Sequence, residues 1–234
     1  MKCFSLFAAC LLMAGMMYGQ VADKRTYLND IKEAMIVKWP KNRTLNIVFH
    51  GHSVPTGSFH GGVVNTMQAY PHLTFHGVKS QYPFAVLNVI TTSIGGEQAE
   101  QGEKRFADEV LTHRPDVLFI DYALNDRSIG LERAEKAWRK MVEAALAKGI
   151  KVILLTPTPD LKENILDEKT PLAGHAVMIR RLAAEYHVGL VDSYQLFKEK
   201  AAKGEDLKAY MSQNNHPNSA GHSCVAGEIM AWFF

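Results

Sequence analysis

The sequence predicts an α/β protein, a three-layer α/β/α sandwich built on a five-stranded parallel sheet. Five short apolar runs are spread along the chain, and each is continuous rather than alternating, as expected of strands buried on both faces. Amphipathic segments with helical periodicity separate these runs, so helices are expected to cross from strand to strand. No repeat, low-complexity segment or linker divides the chain, and residues 23–234 are therefore predicted to form a single domain.

The predicted strands are aliphatic and β-branched. In chain order they are residues 45–49, 85–90, 116–122, 151–156 and 188–192. Predicted helices follow at residues 98–112, 131–148, 173–186 and 220–232. The second helix is the clearest, because its apolar residues recur at spacings of three and four before Gly149. These residues are Leu131, Ala134, Trp138, Met141 and Ala145. The spacing places Trp138 in the core.

The first 22 residues have the pattern of a secretory signal peptide, with cleavage near residues 19–22. A basic start at Lys2 is followed by an uncharged apolar stretch, and the chain turns polar from Gln20 onward. The apolar stretch is short for a transmembrane span, although a retained anchor or a buried N-terminal helix is the alternative. We therefore expect a bacterial protein that is periplasmic or secreted, with no stable membrane insertion after the leader is removed.

Composition narrows the class of protein further. Hydrophobic residues make up 47% and charged residues 21%, which excludes a disordered chain. The formal net charge of +2 would fall to +1 on loss of Lys2, so nucleic acid is not an expected partner. Cys3 and Cys10 lie in the leader, which leaves Cys224 without an internal disulfide partner. Cys224 is expected to be a buried small hydrophobe, and nothing in the sequence indicates an oligomeric state.

Polar residues follow several predicted strands, where parallel sheets gather their functional side chains. Ser53 comes just after the first strand and could be an exposed nucleophile or a helix N-cap. Gly96 lies in a small-residue loop that could turn a backbone N–H toward an oxyanion or simply form a turn. Asn125 follows the third strand, and His216 precedes the last helix. Each signal is weak by itself.

Taken in order, these four residues resemble the Ser, Gly, Asn and His blocks of the SGNH hydrolases, the GDSL-like esterase superfamily. The resemblance extends over residues 45–234 and implies the flavodoxin-like SGNH hydrolase fold. It also implies a serine esterase acting on small acyl esters, acetyl above all, of a small molecule or a glycan. Ser53 would be the nucleophile and His216 the general base. The Ser53 and Gly96 N–H groups and the Asn125 amide would form the oxyanion hole. No cofactor or metal is implied.

Three positions depart from the family pattern. His52 stands where the family has Asp, and Ala123 stands where it has Gly. Gln213 occupies the position of the catalytic acid, three residues before His216. A glutamine oxygen can accept the imidazole N–H and fix the tautomer, but it cannot stabilise the imidazolium by charge. We therefore expect His216 to be oriented by Gln213, by a backbone carbonyl or by an acid from elsewhere. Asp192 is a candidate acid, although a structural role is favoured for it.

Two other function classes remain open at this stage. The chain could be a non-catalytic carbohydrate-binding member of the fold that lost its acid. It could also be a metal-dependent hydrolase, with His50 and His52 at a strand end and further ligands from Asp126 and His216. No histidine spacing matches an established zinc motif, so His50 and His52 are expected to satisfy hydrogen bonds around the serine turn. The polar loop after the fourth strand is expected to shape the substrate cleft.

Overall fold

The fold is taken from a computed structural model that describes residues 19–234; residues 1–18, which carry most of the predicted leader, lie outside the described residues. Five strands form one parallel sheet in the order β2-β1-β3-β4-β5, the flavodoxin-like order. The strands are β1 (Thr44–Gly51), β2 (Val86–Thr91), β3 (Val117–Asp121), β4 (Lys151–Leu155) and β5 (Gly189–Val191). The predicted fold class is confirmed, and each strand lies within two residues of its predicted bounds.

Helices connect the strands and cover both faces of the sheet. They are α1 (Asn29–Ile36), α2 (Ser53–Thr56), α3 (Tyr70–Gln81), α4 (Ala99–Glu109), α5 (Ala123–Asp126), α6 (Leu131–Leu146), α7 (Pro171–Glu185), α8 (Ser193–Ala202) and α9 (Ser219–Met230). A small antiparallel hairpin, β6 (Met211–Gln213) with β7 (His216–Pro217), precedes α9. Helices α1, α2, α3, α5 and α8 and the hairpin were not predicted from the sequence. They are short or weakly amphipathic, so apolar periodicity does not mark them.

The sheet register brings the functional loops to one edge. Gly51 at the end of β1 pairs with Asp121 at the end of β3, and Phe49 pairs with Thr91 at the end of β2. Parallel strands that end in register deliver the residues that follow them to the same side of the sheet. The loops after β1, β2 and β3 therefore start next to one another.

Each face of the sheet has its own core. On one face Phe49 stacks on Phe119 with ring centroids 4.5 Å apart. On the other face Trp138 of α6 is fully buried against β3 and β4, as its helical spacing predicts. Leu131, which belongs to the same periodic pattern, is instead 45% exposed. Leu131 is the first residue of α6 and lies over Gly174 of α7 instead of on the sheet.

The described chain begins with a segment that packs on the domain. Ala22 is 5% exposed, and its N–H donates to the Val188 carbonyl over 3.1 Å. His187 contacts the Gln20 carbonyl through its imidazole over 2.6 Å. The folded unit thus includes residues just before the predicted domain start at 23. Over residues 19–234, no helix has both the length and the apolar character needed to span a membrane.

Candidate active site

Ser53 is held in a tight turn between β1 and α2. The preceding residue, His52, caps the helix, and its Nδ1 atom accepts the Val54 N–H over 3.2 Å. Gly51 makes the turn possible, because a Cβ atom there would lie 2.9 Å from Pro55 Cγ. Ser53 is the first residue of α2 and is 9% exposed. The N-cap alternative for Ser53 is wrong, because the residue that caps α2 is His52.

His216 reaches Ser53 from the β6–β7 hairpin. Its Nε2 atom lies 2.7 Å from Ser53 Oγ, a hydrogen-bond distance. Asn218 fixes the end of the hairpin by capping α9, and its Oδ1 accepts the N–H groups of Ala220 and Gly221. Burial holds the pKa of His216 below its usual value, and the nearby His52 acts in the same direction. His216 is therefore neutral at pH 7 and able to accept a proton.

Gln213 contacts the other ring nitrogen of His216. It pairs with His216 across the hairpin, and its carboxamide Nε2 meets Nδ1. A carboxamide can exchange its oxygen and nitrogen by a half-turn, and the assignment follows from the hydrogen bonds it makes. His216 Nε2 can accept the Ser53 proton only when Nδ1 carries the hydrogen. We therefore assign the amide oxygen of Gln213 to face Nδ1, where it accepts that hydrogen.

The acidic residues Asp192 and Asp160 differ in their relation to this pair. Asp192 accepts the Thr156 hydroxyl over 2.8 Å, binds Arg180 and caps α8, which is the structural role favoured for it. Asp160 was not singled out from the sequence. It is buried in the loop after β4, and that loop touches the hairpin where the Leu161 N–H donates to the Asn214 carbonyl over 2.7 Å. The Asp160 charge raises the pKa of His216, against the larger effect of burial.

Gly96 and Asn125 lie on a shared cleft of about 500 Å³. Gly96 has a φ of +80°, a backbone conformation that residues with a Cβ atom rarely adopt. The Asn125 amide donates one hydrogen to the Glu97 carbonyl over 3.0 Å, and the amide has a second hydrogen for a ligand. The neighbouring Gly95 approaches the serine, since a Cβ atom built on it would lie 3.9 Å from Ser53 Cβ. The structure thus gathers the four predicted residues at one edge of the sheet.

Five of the eight residues that line the cleft have polar side chains. They are Gln98, Asn125, Arg127, Ser128 and Glu163. Arg127 bridges Asp160 and Glu163 with contacts of 2.8 and 2.5 Å, which ties α5 to the loop after β4. That loop therefore supplies a cleft side chain, as its polar composition suggested.

His50 near the end of β1 and His52 just after it contact different groups. His50 contacts the Thr92 hydroxyl and Tyr122, and burial lowers its pKa to about 3. His52 is buried with its Nε2 atom 3.4 Å from Asp121 Oδ1, a close approach of polar atoms without the alignment of a hydrogen bond. Among residues 19–234, no group of three or more His, Cys, Asp or Glu side chains is arranged to hold a metal ion.

Asp126 stabilises the fold beneath the site. Its carboxylate accepts the Ala99 N–H and the Trp138 indole N–H, each over 2.7 Å. Burial raises its pKa to about 6, against the opposing effect of these two donors. Asp126 therefore joins the start of α4 to α6, and each of its carboxylate oxygens accepts one of these hydrogen bonds.

Helix α9 carries His222 and Cys224. His222 lies in its first turn, fully buried, where Nδ1 accepts the Tyr70 N–H over 3.2 Å and the ring stacks on Phe59. Burial lowers its pKa to about 4. Cys224 is half-buried, and burial raises the pKa of its thiol, which disfavours the nucleophilic thiolate.

Known proteins resemble this chain in sequence. Residues 49–224 match the sequence profile of the GDSL-like lipase/acylhydrolase family. A curated relative, an uncharacterized lipoprotein YqeF of Bacillus subtilis (strain 168), is 30% identical over 86 residues. That alignment covers 33% of this chain and 35% of the lipoprotein, so it reaches only part of either protein.

Similar folds occur among solved structures. A two-domain esterase (CEX) active on acetylated mannans superposes with a TM-score of 0.74 at 22% identity. The match covers 92% of this chain and 54% of the esterase, so the chain spans about half of that protein. Axe2, an acetylxylan esterase from Geobacillus stearothermophilus, superposes with a TM-score of 0.70 at 20% identity, covering 85% of this chain and 96% of Axe2. At these identities the likeness shows a shared fold.

Proposed function

Because the chain belongs to the GDSL-like lipase/acylhydrolase family, we propose that it is a serine esterase that removes small acyl groups, acetyl foremost, from carbohydrate. The observation that carries the proposal is the 2.7 Å contact between Ser53 Oγ and His216 Nε2. A neutral imidazole at this distance from a hydroxyl is the arrangement that activates a serine nucleophile.

The reaction would run in two steps. His216 Nε2 takes the Ser53 hydroxyl proton while Oγ attacks the ester carbonyl, and a tetrahedral oxyanion forms. The resulting imidazolium gives its proton to the leaving alcohol as the ester bond breaks, which leaves Ser53 acylated. Water then attacks the acyl-enzyme with His216 again as base, and the carboxylic acid and free Ser53 are released. The Gln213 oxygen would keep the Nδ1 hydrogen in place throughout.

The oxyanion would be held by the N–H groups of Ser53 and Gly96 and by the side-chain amide of Asn125. Removal of one such donor commonly lowers kcat by about 10²–10³. The proximity of Gly96 and Asn125 on one cleft, with Gly95 against Ser53, supports this assignment.

A carbohydrate leaving group is favoured by the chemistry of the cleft. Sugar hydroxyls need donors and acceptors, which Gln98, Arg127, Ser128 and Glu163 offer within a volume suited to a small ligand. Five of the cleft's eight lining residues carry such polar side chains, and the two apolar side chains, Leu124 and Pro171, do not form the extended wall that a long acyl chain would need. The acetylated mannan and xylan esterases that share the fold support the same substrate class.

Export through the N-terminal leader is part of the proposal. The charged start and apolar stretch of residues 1–22 support it, and the lipoprotein relative is consistent with a location outside the cytoplasm. The mature protein would then act in the periplasm or medium, where extracellular glycans are available.

The proposal is tested by hydrolysis of p-nitrophenyl acetate with the parent, Ser53→Ala and His216→Ala. We expect each variant to lose at least about 10³-fold in kcat/KM while its thermal unfolding stays cooperative. Equal rates in parent and Ser53→Ala would refute a serine mechanism. Activity that EDTA removes would instead favour the metal-dependent alternative.

Substrate class is tested on a panel. Acetyl release from acetylated mannan and xylan should exceed hydrolysis of lysolipid and acyl-CoA at matched concentrations. Glycan binding without turnover by the intact protein would favour the carbohydrate-binding alternative. Faster hydrolysis of the lipid or thioester would reject the carbohydrate assignment while leaving the serine esterase in place.

A further inference from the structure

A buried polar network lies beneath the loop that carries Gly96. The loop runs from Thr92 at the end of β2 to Glu97 before α4. Its backbone is attached to β1 by two hydrogen bonds, from the Thr92 N–H to Phe49 O (2.9 Å) and from the Ile94 N–H to Gly51 O (3.0 Å). Among residues 19–234, no side chain forms a hydrogen bond with Gly96, so the direction of its N–H depends on how firmly the two ends of the loop are fixed.

Glu97 turns its side chain inward at the end of this loop. It is 7% exposed, and its carboxylate accepts the Arg105 guanidinium at both oxygens, over 2.8 Å from Nε and 2.5 Å from Nη2. The Tyr122 hydroxyl donates to the same carboxylate over 2.7 Å. A buried carboxylate with this many donors has a fixed position, because any displacement leaves charge without a partner.

Arg105 also holds the other end of the loop. Its Nη2 atom donates to the Thr92 carbonyl over 2.6 Å, in addition to binding Glu97. One guanidinium on α4 therefore joins the first and last residues of the segment that contains Gly96. The planar, multiply donating guanidinium suits this task, whereas a lysine ammonium has no fork of donors to span both groups.

His50 and Tyr122 extend the network to the neighbouring strands. His50 Nδ1 lies 2.9 Å from Thr92 Oγ1, and Nε2 lies 3.1 Å from the Tyr122 hydroxyl. The Tyr122 hydroxyl gives its hydrogen to Glu97, so it accepts one from His50 Nε2, and His50 Nδ1 then accepts the Thr92 hydrogen. Tyr122 directly precedes α5, which carries Asn125. The network thus links the segment holding Gly96 to the segment holding Asn125.

The main chain of Glu97 provides a second contact between these two segments. The Asn125 side-chain amide donates to the main-chain carbonyl of Glu97, the residue whose side chain is held by the buried network. Glu97 is therefore held through its side chain by Arg105 and Tyr122 and through its main chain by Asn125. Both candidate oxyanion donors outside Ser53 depend on the position of this one residue.

We propose that Glu97 and Arg105 are positioning residues that set the geometry of the oxyanion hole, through a network shared with Tyr122. This inference rests on the proposed serine esterase function. Displacement of reacting groups by about 1 Å can cost about 10²-fold in rate, so a small shift of the Gly96 loop would show in kcat. Substrate binding through the rest of the cleft would change little.

The test compares Glu97→Gln with Glu185→Gln. Glu185 forms a two-contact pair with Arg139, over 2.6 and 2.7 Å, between α6 and α7 and away from the cleft. Both variants remove one charge from an arginine pair, but only the first touches the loop. The substrate is p-nitrophenyl acetate, and kcat is expressed per serine that reacts to completion with a fluorophosphonate probe. A variant that is merely misfolded in part loses titratable serine, whereas a mispositioned oxyanion hole lowers kcat per titrated site.

We expect Glu97→Gln to lose about 10- to 100-fold in kcat per titrated site with KM within threefold of the parent, and Glu185→Gln to match the parent within twofold. We expect the kcat per titrated site of Arg105→Lys to lie between that of the parent and that of Glu97→Gln. If Glu97→Gln does not fold, Arg105→Lys takes its place in the test. A kcat within threefold of the parent in the folded variant overturns the inference. If Ser53→Ala is inactive at the same time, the proposed function stands; if Ser53→Ala is fully active, the function and this inference both fail.

Discussion

His216 Nε2 lies 2.7 Å from Ser53 Oγ, although the residue on the other side of the imidazole is a glutamine. In a Ser-His-Asp triad the acid both fixes the tautomer and stabilises the imidazolium. Gln213 can do only the first of these. The Ser53–His216 pair is therefore assembled in the usual geometry but with a neutral orienting group, and its rate should respond to charge at position 213.

Gln213→Asp is expected to raise kcat/KM for p-nitrophenyl acetate by about tenfold or more at pH 7. A carboxylate at this position would stabilise the positive charge that develops on His216 in the transition state. Gln213→Leu, which removes the acceptor for the Nδ1 hydrogen, should lower kcat/KM. A fall of Gln213→Asp below about a tenth of the parent would show instead that the glutamine is adapted to this site.

The acid limb of the pH–rate profile should have a midpoint below 6.5. His216 must be neutral to accept the Ser53 proton, and burial lowers its pKa from that reference value. The Asp160 charge favours the imidazolium and so raises this pKa. Asp160→Asn should therefore move the midpoint of kcat/KM to still lower pH.

Asp167→Asn is the matched control for that measurement. Asp167 lies in the same loop, exposed, where it accepts the Lys169 N–H over 2.9 Å. Its loss should leave the midpoint where it is in the parent. An upward shift in Asp160→Asn, or equal shifts in both variants, would contradict the role given to the Asp160 charge.

Gly96→Ala should lower kcat by at least tenfold and destabilise the fold by about 1–3 kcal/mol. At φ +80° an alanine is strained even though its Cβ atom would meet no neighbour, so the backbone is expected to rotate and carry the N–H with it. Gly149→Ala is the control. Gly149 also has a positive φ (+72°), and a Cβ atom there would meet no neighbour. It lies between α6 and the start of β4, at the end of the sheet opposite the site. We expect urea unfolding to show similar losses of stability in the two variants. Steady-state kinetics should show a loss of kcat only in Gly96→Ala.

Asp126 should make stability depend on pH in an unusual direction. Its pKa is raised to about 6 from 3.8, so between these values the folded protein binds more protons than the unfolded chain. The free energy of unfolding contributed by this group therefore falls as pH rises from about 4 to 6, by about 3 kcal/mol for a shift of about two pH units. Urea unfolding of the parent and Asp126→Asn over this range measures the effect.

In that comparison, the stability advantage of the parent over Asp126→Asn should shrink as pH rises. The variant also loses an acceptor for Ala99 or Trp138, which adds a cost that does not depend on pH. An advantage that stays constant or grows with pH would place the folded-state pKa of Asp126 at or below its unfolded value.

Several features of this protein could be predicted from local sequence. The five largely apolar runs predict a parallel sheet with helical crossovers. Four of these strands are largely buried, whereas β2, at the edge of the sheet, has no buried residue. Ser53, Gly96, Asn125 and His216 each lie after an apolar run or before a helix start, but only their resemblance to the four SGNH blocks singled them out together. The same resemblance identified position 213 as the place where the family has an acid and this chain has Gln.

Only the tertiary structure decided which groups act together. Asp160 reaches the environment of His216 because the loop after β4 folds onto the hairpin, and no local pattern encodes that approach. The contact of Arg105 with both Thr92 and Glu97 likewise depends on how α4 packs against the sheet. His50 and His52, two residues apart, turn to Tyr122 and Asp121 because buried polar atoms take the partners that packing provides. Sequence determined the strands and indicated the candidate site residues, while long-range packing determined which charged and polar groups surround them.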